Sequence, residues 1–198
     1  MSHVVVSHAI EVGPDSIWYP HLRDELEVEG HTVELVRLPN PSAPAPDAWL
    51  QALTDATDGL PAADTVLVGH SLGGVNTLRF LQQHDPDLRG PFAGAVLVAT
   101  MSHSVGYDAL DGFFEPNFDW EAIRSAARRF HALLAIDDPV MAPQPVDHLV
   151  ELVTGLGATG ILESAGGHFP TWTPDTPPAL TALPQAVRLV RDCLSADG

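Results

Sequence analysis

The 198-residue chain contains no lysine, a single cysteine and few basic residues of any kind. Without lysine, the protein cannot form a Schiff base with a carbonyl substrate, attach pyridoxal phosphate or build a P-loop around a nucleotide. Because Cys193 has no second cysteine to pair with, the chain has neither an internal disulfide nor a cysteine-rich zinc site. Nine arginines stand against 26 acidic residues, which gives a formal net charge of −17. This balance argues against nucleic acid and anionic membranes as partners.

Long hydrophobic runs are also missing, since no stretch approaches the roughly 20 apolar residues needed to cross a bilayer. The first residues lack the basic region that opens a signal peptide, so we expect a cytoplasmic protein. Hydrophobic residues make up 45% of the chain and charged residues 18%, a composition typical of globular proteins. Because no segment resembles a linker, we predict one domain over residues 1–198, either a monomer or a dimer.

Short apolar runs alternate with amphipathic stretches, which is the pattern of a parallel sheet with helical crossovers. Six strands are predicted: Val4–His8, Thr32–Val36, Thr65–Val68, Ala95–Ala99, Ala132–Ile136 and Gly160–Glu163. Several of them are runs of Val, Ile and Leu without polar alternation, as expected for strands buried on both faces. Six helices are predicted between and after them: Ile17–Val28, Ala48–Asp58, Leu72–His84, Trp120–Arg129, Val146–Leu156 and Leu183–Leu194. The fold class is therefore α/β, a three-layer αβα sandwich around a six-stranded, mostly parallel sheet.

A Gly-x-Ser-x-Gly motif, Gly69-His70-Ser71-Leu72-Gly73, lies between the third predicted strand and the helix that follows. In this context the motif predicts a nucleophile elbow, a strained turn that lifts the Ser71 hydroxyl above the sheet. Side chains two positions before and after the serine would collide with the strand and the helix, so glycine is needed there. The turn also directs the Leu72 backbone N–H, at the start of the helix, toward a developing oxyanion.

A nucleophilic serine needs a histidine base, and the base needs an acid that orients it. In hydrolases with this elbow the acid and then the histidine follow the serine along the chain, each after a strand. His168 follows the last predicted strand behind two glycines and is the predicted base. Either Asp137 or Asp138, after the fifth strand, supplies the acid. Pro139 favours Asp138, because the residue before a proline is biased toward an extended conformation.

The remaining parts of the site are predicted from position alone. A second oxyanion donor follows the first strand, and we predict the backbone N–H of Ile10, with Ala9 as the next choice. The long segment Met101–Asp119 follows the fourth strand and is a candidate lid. Aromatic and sulfur-containing side chains near the proposed rim are candidates for an acyl pocket: Trp18, Met101, Phe113, Phe114, Phe169 and Trp172. No cluster has metal-ligand spacing, so we expect neither a metal nor another cofactor.

Several segments together resemble the small serine hydrolases of the retinoblastoma-binding-protein-nine type and their bacterial relatives. They are the elbow, the Phe-rich stretch Gly112–Ile123, Asp137–Pro139 and Gly167–Phe169. The resemblance extends over nearly the whole chain and implies a compact α/β hydrolase without a large cap, with strand order 2-1-3-4-5-6. It also implies Ser71 as nucleophile, Asp138 as acid and His168 as base. The family often has His-Gly where this chain has His8-Ala9.

The leading hypothesis for function is a metal-free serine hydrolase of small carboxylic esters, with amides or thioesters as further possible substrates. The reaction would pass through an acyl-enzyme formed on Ser71. The alternative is a protein-interaction module on a hydrolase scaffold with little or no catalysis. A complete Ser, Asp and His set argues against that alternative, because a non-catalytic scaffold has no physical need for all three.

Overall fold

The order of strands in the sheet is that implied by the resemblance. The structure is a computed structural model that describes residues 1–170 and 180–195. In these residues six strands form one parallel sheet in the order β2-β1-β3-β4-β5-β6. The strands are β1 (His3–Ser7), β2 (Thr32–Leu35), β3 (Thr65–His70), β4 (Gly94–Val98), β5 (Phe130–Ala135) and β6 (Thr159–Glu163). The six predicted strands are confirmed, with ends that shift by no more than about two residues.

Proline stands in the first turn of most helices, where its missing N–H costs no hydrogen bond. The helices are α1 (Tyr19–Val28), α2 (Pro46–Thr57), α3 (Leu72–Gln83), α4 (Pro86–Arg89), α5 (Trp120–Ser125), α6 (Pro145–Leu156) and α7 (Pro184–Leu194). Two 3₁₀ helices lie at Ala62–Asp64 and Asp108–Phe114. The short α4 was not predicted from the sequence; the Asp85 side chain caps it by accepting two backbone N–H groups.

Helix α5 ends four residues earlier than predicted. After Ser125 the chain straightens, and Ala127 pairs with Phe92 in an isolated bridge. The Arg128 N–H donates to the Phe92 carbonyl at 3.0 Å. These bonds lead the chain into β5. Backbone pairing with Phe92, just before β4, therefore replaces the last helical turn that the sequence pattern predicted.

Helices cover both faces of the sheet, which confirms the three-layer architecture. Helices α2, α3, α5 and α6 pack side by side on one face, and α1 and α7 contact each other on the other. The central strands β3, β4 and β5 are buried at every residue, whereas the edge strands β2 and β6 are partly exposed. No helix within residues 1–170 and 180–195 is long and apolar enough to cross a membrane.

Helix α3 begins so close to the end of β1 that only glycine fits at its second position. A Cβ placed on Gly73 would overlap the backbone carbonyl oxygens of Ser7 and His8. Because backbone atoms cannot rotate away as a side chain can, the sheet or the helix would have to move. Gly73 therefore fixes the distance between the start of α3 and the loop that follows β1.

We expect Gly73→Ala to destabilise the protein by about 3 kcal/mol, at the upper end of the usual cost of overpacking a well-packed site. The matched control is Gly13→Ala, because a Cβ at Gly13 meets no atom within 4 Å. Urea unfolding followed by circular dichroism measures both variants. Equal stability of the two variants would contradict the close approach of α3 to β1.

Candidate active site

Three polar side chains predicted to act together meet at the carboxyl edge of the sheet. Ser71 follows β3, Asp138 follows β5 and His168 follows β6. The Ser71 hydroxyl lies 2.7 Å from Nε2 of His168, and Nδ1 of His168 lies 2.7 Å from Oδ2 of Asp138. All three are buried, with at most 5% of each residue exposed. Parallel strands end at the same edge of a sheet, so residues far apart in sequence meet there.

The turn at Ser71 has the strained geometry that the elbow motif predicts. Its backbone has φ 54° and ψ −126°, a region that residues with a side chain rarely adopt. The Ser71 N–H donates to the Val98 carbonyl at 2.9 Å, and the Ser71 carbonyl accepts from the Gly74 and Val75 N–H groups. A Cβ on Gly69 would overlap Cα of Gly74, so the strand before the turn and the helix after it are in direct backbone contact.

The neighbouring residues Asp137 and Asp138 contact different parts of the His168 loop. Oδ2 of Asp138 accepts from the His168 ring, while its Oδ1 accepts the backbone N–H groups of Val140 at 2.8 Å and Met141 at 3.3 Å. Asp137 instead accepts the Gly167 N–H at 2.8 Å. The structure therefore places Asp138 against the imidazole and Asp137 against the backbone of the loop that carries it.

The loop that carries His168 is held by contacts to its main chain. Gly167 has φ 56°, a left-handed conformation that favours glycine. The indole N–H of Trp18, a buried residue just before α1, donates to the Phe169 carbonyl at 2.9 Å. Asp137 and Trp18 thus fix the backbone on either side of His168.

The backbone N–H groups of residues 9–11, which follow β1, differ in whether they have a protein partner. The Ala9 N–H donates to the Tyr19 hydroxyl at 3.0 Å, and the Glu11 N–H donates to the Pro41 carbonyl at 2.9 Å. Between them, the Ile10 N–H has no protein acceptor within the part of the chain that the structure describes. Of the two predicted positions, Ala9 is already engaged, which leaves Ile10 available to bind an oxyanion.

A buried histidine stabilises this segment. Nδ1 of His8 lies 2.7 Å from the Ala9 carbonyl, to which it donates, and Nε2 accepts the Leu38 N–H at 3.2 Å. Burial lowers the pKa of His8, so the ring is neutral and can both donate and accept. The His8 ring also packs edge-on against Trp49, at 5.7 Å between centroids. Sequence reasoning did not identify this role, since a lone histidine after a strand carries no distinctive signal.

A pocket of about 310 Å³ opens at the Ser71 hydroxyl. Ile10, Ser71, Leu72 and His168 line it. The other walls are mostly apolar and come from the loops after β1, β4 and β5: Ala9, Glu11, Met101, Val105, Tyr107, Leu110, Pro139 and Val140. The volume lies at the lower end of the range of about 300–1,000 Å³ that is usual for small-molecule sites.

Met101 lines this pocket, whereas four of the candidate aromatic residues lie elsewhere. Phe113 is fully buried against Trp49, with ring centroids 5.5 Å apart. Phe114 lines a separate groove, and Phe169 is buried behind its own loop, where its ring approaches Gly166. The 3₁₀ helix at Asp108–Phe114 accounts for the first two positions, because it turns Leu110 toward the pocket and Phe113 toward the core. Trp18 is fully buried just before α1, where its indole bonds the Phe169 carbonyl and does not line the pocket. Trp172 lies outside the described residues.

Metal binding finds no support in the arrangement of side chains. Among residues 1–170 and 180–195, no group of three or more His, Cys, Asp or Glu side chains is placed to hold a metal ion. The only cysteine, Cys193, is buried on α7, and burial raises the pKa of its thiol to about 12. A thiol that stays protonated is a poor nucleophile and a poor metal ligand.

Comparison with known proteins agrees with the fold. The chain matches the family described as serine hydrolase over residues 4–173. The YdeN protein of Bacillus subtilis strain 168, named as a hydrolase, is 29% identical over 167 residues, 84% of this chain and 85% of YdeN. The crystal structure of the YdeN gene product has a TM-score of 0.86 at 27% identity, over 98% of each chain.

A more distant structure, polyneuridine aldehyde esterase, has a TM-score of 0.59 at 16% identity and also covers 98% of each chain. This likeness concerns the fold alone. Together these matches confirm the predicted α/β-hydrolase fold and the predicted resemblance to small serine hydrolases.

We expect Asp138→Asn to lose hydrolytic turnover on the order of 10⁴-fold, the usual cost of losing the acid that orients a catalytic histidine. Asp137→Asn is the matched control and keeps most activity, because an amide oxygen can still accept the Gly167 N–H. Steady-state hydrolysis of an activated ester measures both, with circular dichroism to check folding. A larger loss for Asp137→Asn would show that the two aspartates have the opposite roles.

Proposed function

The chain belongs to the serine hydrolase family, and on that basis we propose that it hydrolyses small carboxylic esters with Ser71, His168 and Asp138 as its catalytic residues. The observation that carries the proposal is the unbroken hydrogen-bond chain from the Ser71 hydroxyl through His168 to Asp138, with 2.7 Å at each step. Ser71 and His168 line a mostly apolar pocket. This arrangement argues against the alternative of a non-catalytic interaction module. Nothing observed in the described residues favours that alternative.

Acylation follows from the placement of the three side chains. The Ser71 hydroxyl attacks the ester carbonyl while Nε2 of His168 takes its proton. Asp138 holds the imidazole in the Nδ1–H tautomer and stabilises the imidazolium that forms. The backbone N–H groups of Leu72 and Ile10 are the proposed donors to the tetrahedral oxyanion. His168 then gives its proton to the departing alcohol, which leaves an acyl group on Ser71.

Deacylation repeats the same steps with water. A water molecule takes the place of the alcohol, gives a proton to His168 and attacks the acyl carbonyl. Collapse of the second tetrahedral intermediate releases the carboxylic acid and returns the proton to Ser71. Amides and thioesters would pass through the same intermediates and differ only in the leaving group.

The size and polarity of the pocket set the proposed substrate class. About 310 Å³, bounded by Met101, Val105, Leu110 and Val140, suits a short acyl chain better than a fatty-acyl chain. Burying each of these side chains against substrate is worth about 1–3 kcal/mol. Glu11, the one acidic side chain among the pocket residues, disfavours substrates that carry a carboxylate.

We expect Ser71 to react covalently with a fluorophosphonate probe, because the probe phosphorylates serines that an adjacent base activates. Ser71→Ala abolishes both labelling and esterase activity. Ser7→Ala serves as the control, since Ser7 is a buried serine whose hydroxyl has no hydrogen-bond partner among the described residues. Intact labelling of the Ser71→Ala protein, located by mass spectrometry of peptides, would refute the assignment of the nucleophile.

We expect hydrolysis of p-nitrophenyl esters to be fastest for acyl chains of about two to four carbons and to decline with longer chains, because the pocket is small. The series runs from two to sixteen carbons, with and without EDTA. An optimum at twelve carbons or more would contradict the small pocket. Loss of activity in EDTA would contradict a metal-free mechanism.

A further inference from the structure

A fully buried histidine at the centre of the elbow has no part in the proposed reaction. His70 immediately precedes Ser71 and has no exposed surface. Its Nδ1 lies 2.7 Å from the hydroxyl of Tyr19, and its Nε2 lies 2.8 Å from the carbonyl oxygen of His168. The Tyr19 hydroxyl in turn lies 3.0 Å from the Ala9 N–H. Three hydrogen bonds therefore form one continuous chain beneath Ser71, from the backbone of Ala9 after β1 to the backbone of His168.

The partners fix the direction of every hydrogen bond in this chain. A carbonyl oxygen can only accept, so Nε2 of His70 carries the proton that it donates to His168. Burial and the nearby ring of His168 lower the pKa of His70 to about 3, so its Nδ1 has no proton and accepts from the Tyr19 hydroxyl. Burial raises the pKa of Tyr19, which keeps that hydroxyl protonated, and its oxygen accepts the Ala9 N–H.

The two ends of the chain are next to the groups that the reaction uses. Ala9 immediately precedes Ile10, whose N–H is a proposed oxyanion donor. The other end is the backbone carbonyl of His168 itself, the proposed base. Because His70 belongs to the same rigid turn as Ser71, its two ring nitrogens locate both loops relative to the nucleophile. Each link donates in the same direction, and bonds aligned in this way strengthen one another.

We propose that His70 and Tyr19 form a positioning pair that sets the oxyanion donor and the general base relative to Ser71 through this single hydrogen-bond chain. The inference rests on the proposed function, because it assigns the pair a role in that reaction. Neither side chain lines the pocket. Ring packing of His70 against Trp18, Tyr19 and His168, at centroid distances of 5.5, 5.9 and 5.7 Å, keeps the imidazole in one orientation.

Loss of the pair is expected to lower kcat and leave KM little changed, because the interactions it aligns form in the transition state. A displacement of about 1 Å at a reacting group can cost about 100-fold in rate. We therefore expect His70→Leu, which removes both ring nitrogens, to lose about 100-fold in kcat. His70→Gln recovers a large part of the loss, because its amide can still donate toward the His168 carbonyl.

Tyr19→Phe tests the part of the hydrogen-bond chain that leads to Ala9, because it removes only the hydroxyl between His70 and Ala9. It is expected to lower kcat by about 10-fold, which is less than the loss for displacing a reacting group by about 1 Å. If the two residues act as one chain, the double variant Tyr19→Phe/His70→Leu loses little more than His70→Leu alone. Additive losses, or a kcat unchanged by either single variant, would overturn the proposal.

A matched control separates positioning from stability. Nε2 of His84, at the opposite end of α3, also lies 2.8 Å from a carbonyl oxygen, that of Gly90. His84→Leu removes an equivalent bond about 18 Å away along the helix and is expected to leave kcat unchanged. Thermal unfolding compares the stabilities of all variants. A loss of kcat in His84→Leu as large as that in His70→Leu would also overturn the proposal.

Nitrogen NMR of the histidine rings gives a readout that does not depend on turnover. The wild-type protein is expected to show His70 as a neutral ring protonated at Nε2, and a ring protonated at Nδ1 would refute the inference. Failure of the proposed function has a different signature, namely an unlabelled Ser71 in wild-type protein treated with fluorophosphonate. The two failures are therefore distinguishable in the same set of samples.

Discussion

The strained turn at Ser71 is the constraint on which the rest of this edge of the molecule depends. A residue with φ 54° costs about 1–3 kcal/mol and persists only where its surroundings leave no alternative. Here β3 and α3 meet across Gly69 and Gly74, and α3 meets the end of β1 at Gly73. Because these approaches are backbone against backbone, the turn cannot relax without separating the sheet from its central helix.

The positions of the other groups in the candidate site follow from the position of this turn. The parallel order of the strands brings the ends of β5 and β6 to the same edge as Ser71. Asp137 and Asp138 then hold the backbone and the ring of the His168 loop, respectively. At the start of α1, Trp18 reaches the Phe169 carbonyl. Short polar contacts, most of them to main-chain atoms, therefore hold the side chains of the site in position.

The sequence predicted those features that depend on local chemistry or periodicity. Continuous Val and Leu runs identified the buried strands, and the glycine spacing around Ser71 identified the elbow. Pro139 favoured Asp138 over Asp137 through a local steric effect, and in the structure it is Asp138 that contacts the His168 ring. The walls of the pocket were predicted poorly, because an aromatic residue in a long loop can face a pocket or the core equally well. The placement of Phe113 against Trp49 depends on contacts between distant segments, which periodicity does not encode.

Three buried histidines at one edge of the sheet have different roles because their neighbours differ. His8 and His70 lie among backbone groups and aromatic rings, where burial lowers their pKa values and leaves both rings neutral. Neutral imidazole donates from one nitrogen and accepts at the other, which suits it to bridging main-chain atoms. Only His168 of these three rings bonds a buried carboxylate, Asp138, which stabilises an imidazolium. In the proposed reaction, positive charge would therefore stay on His168, and the neutral His70 beside it would not repel that charge.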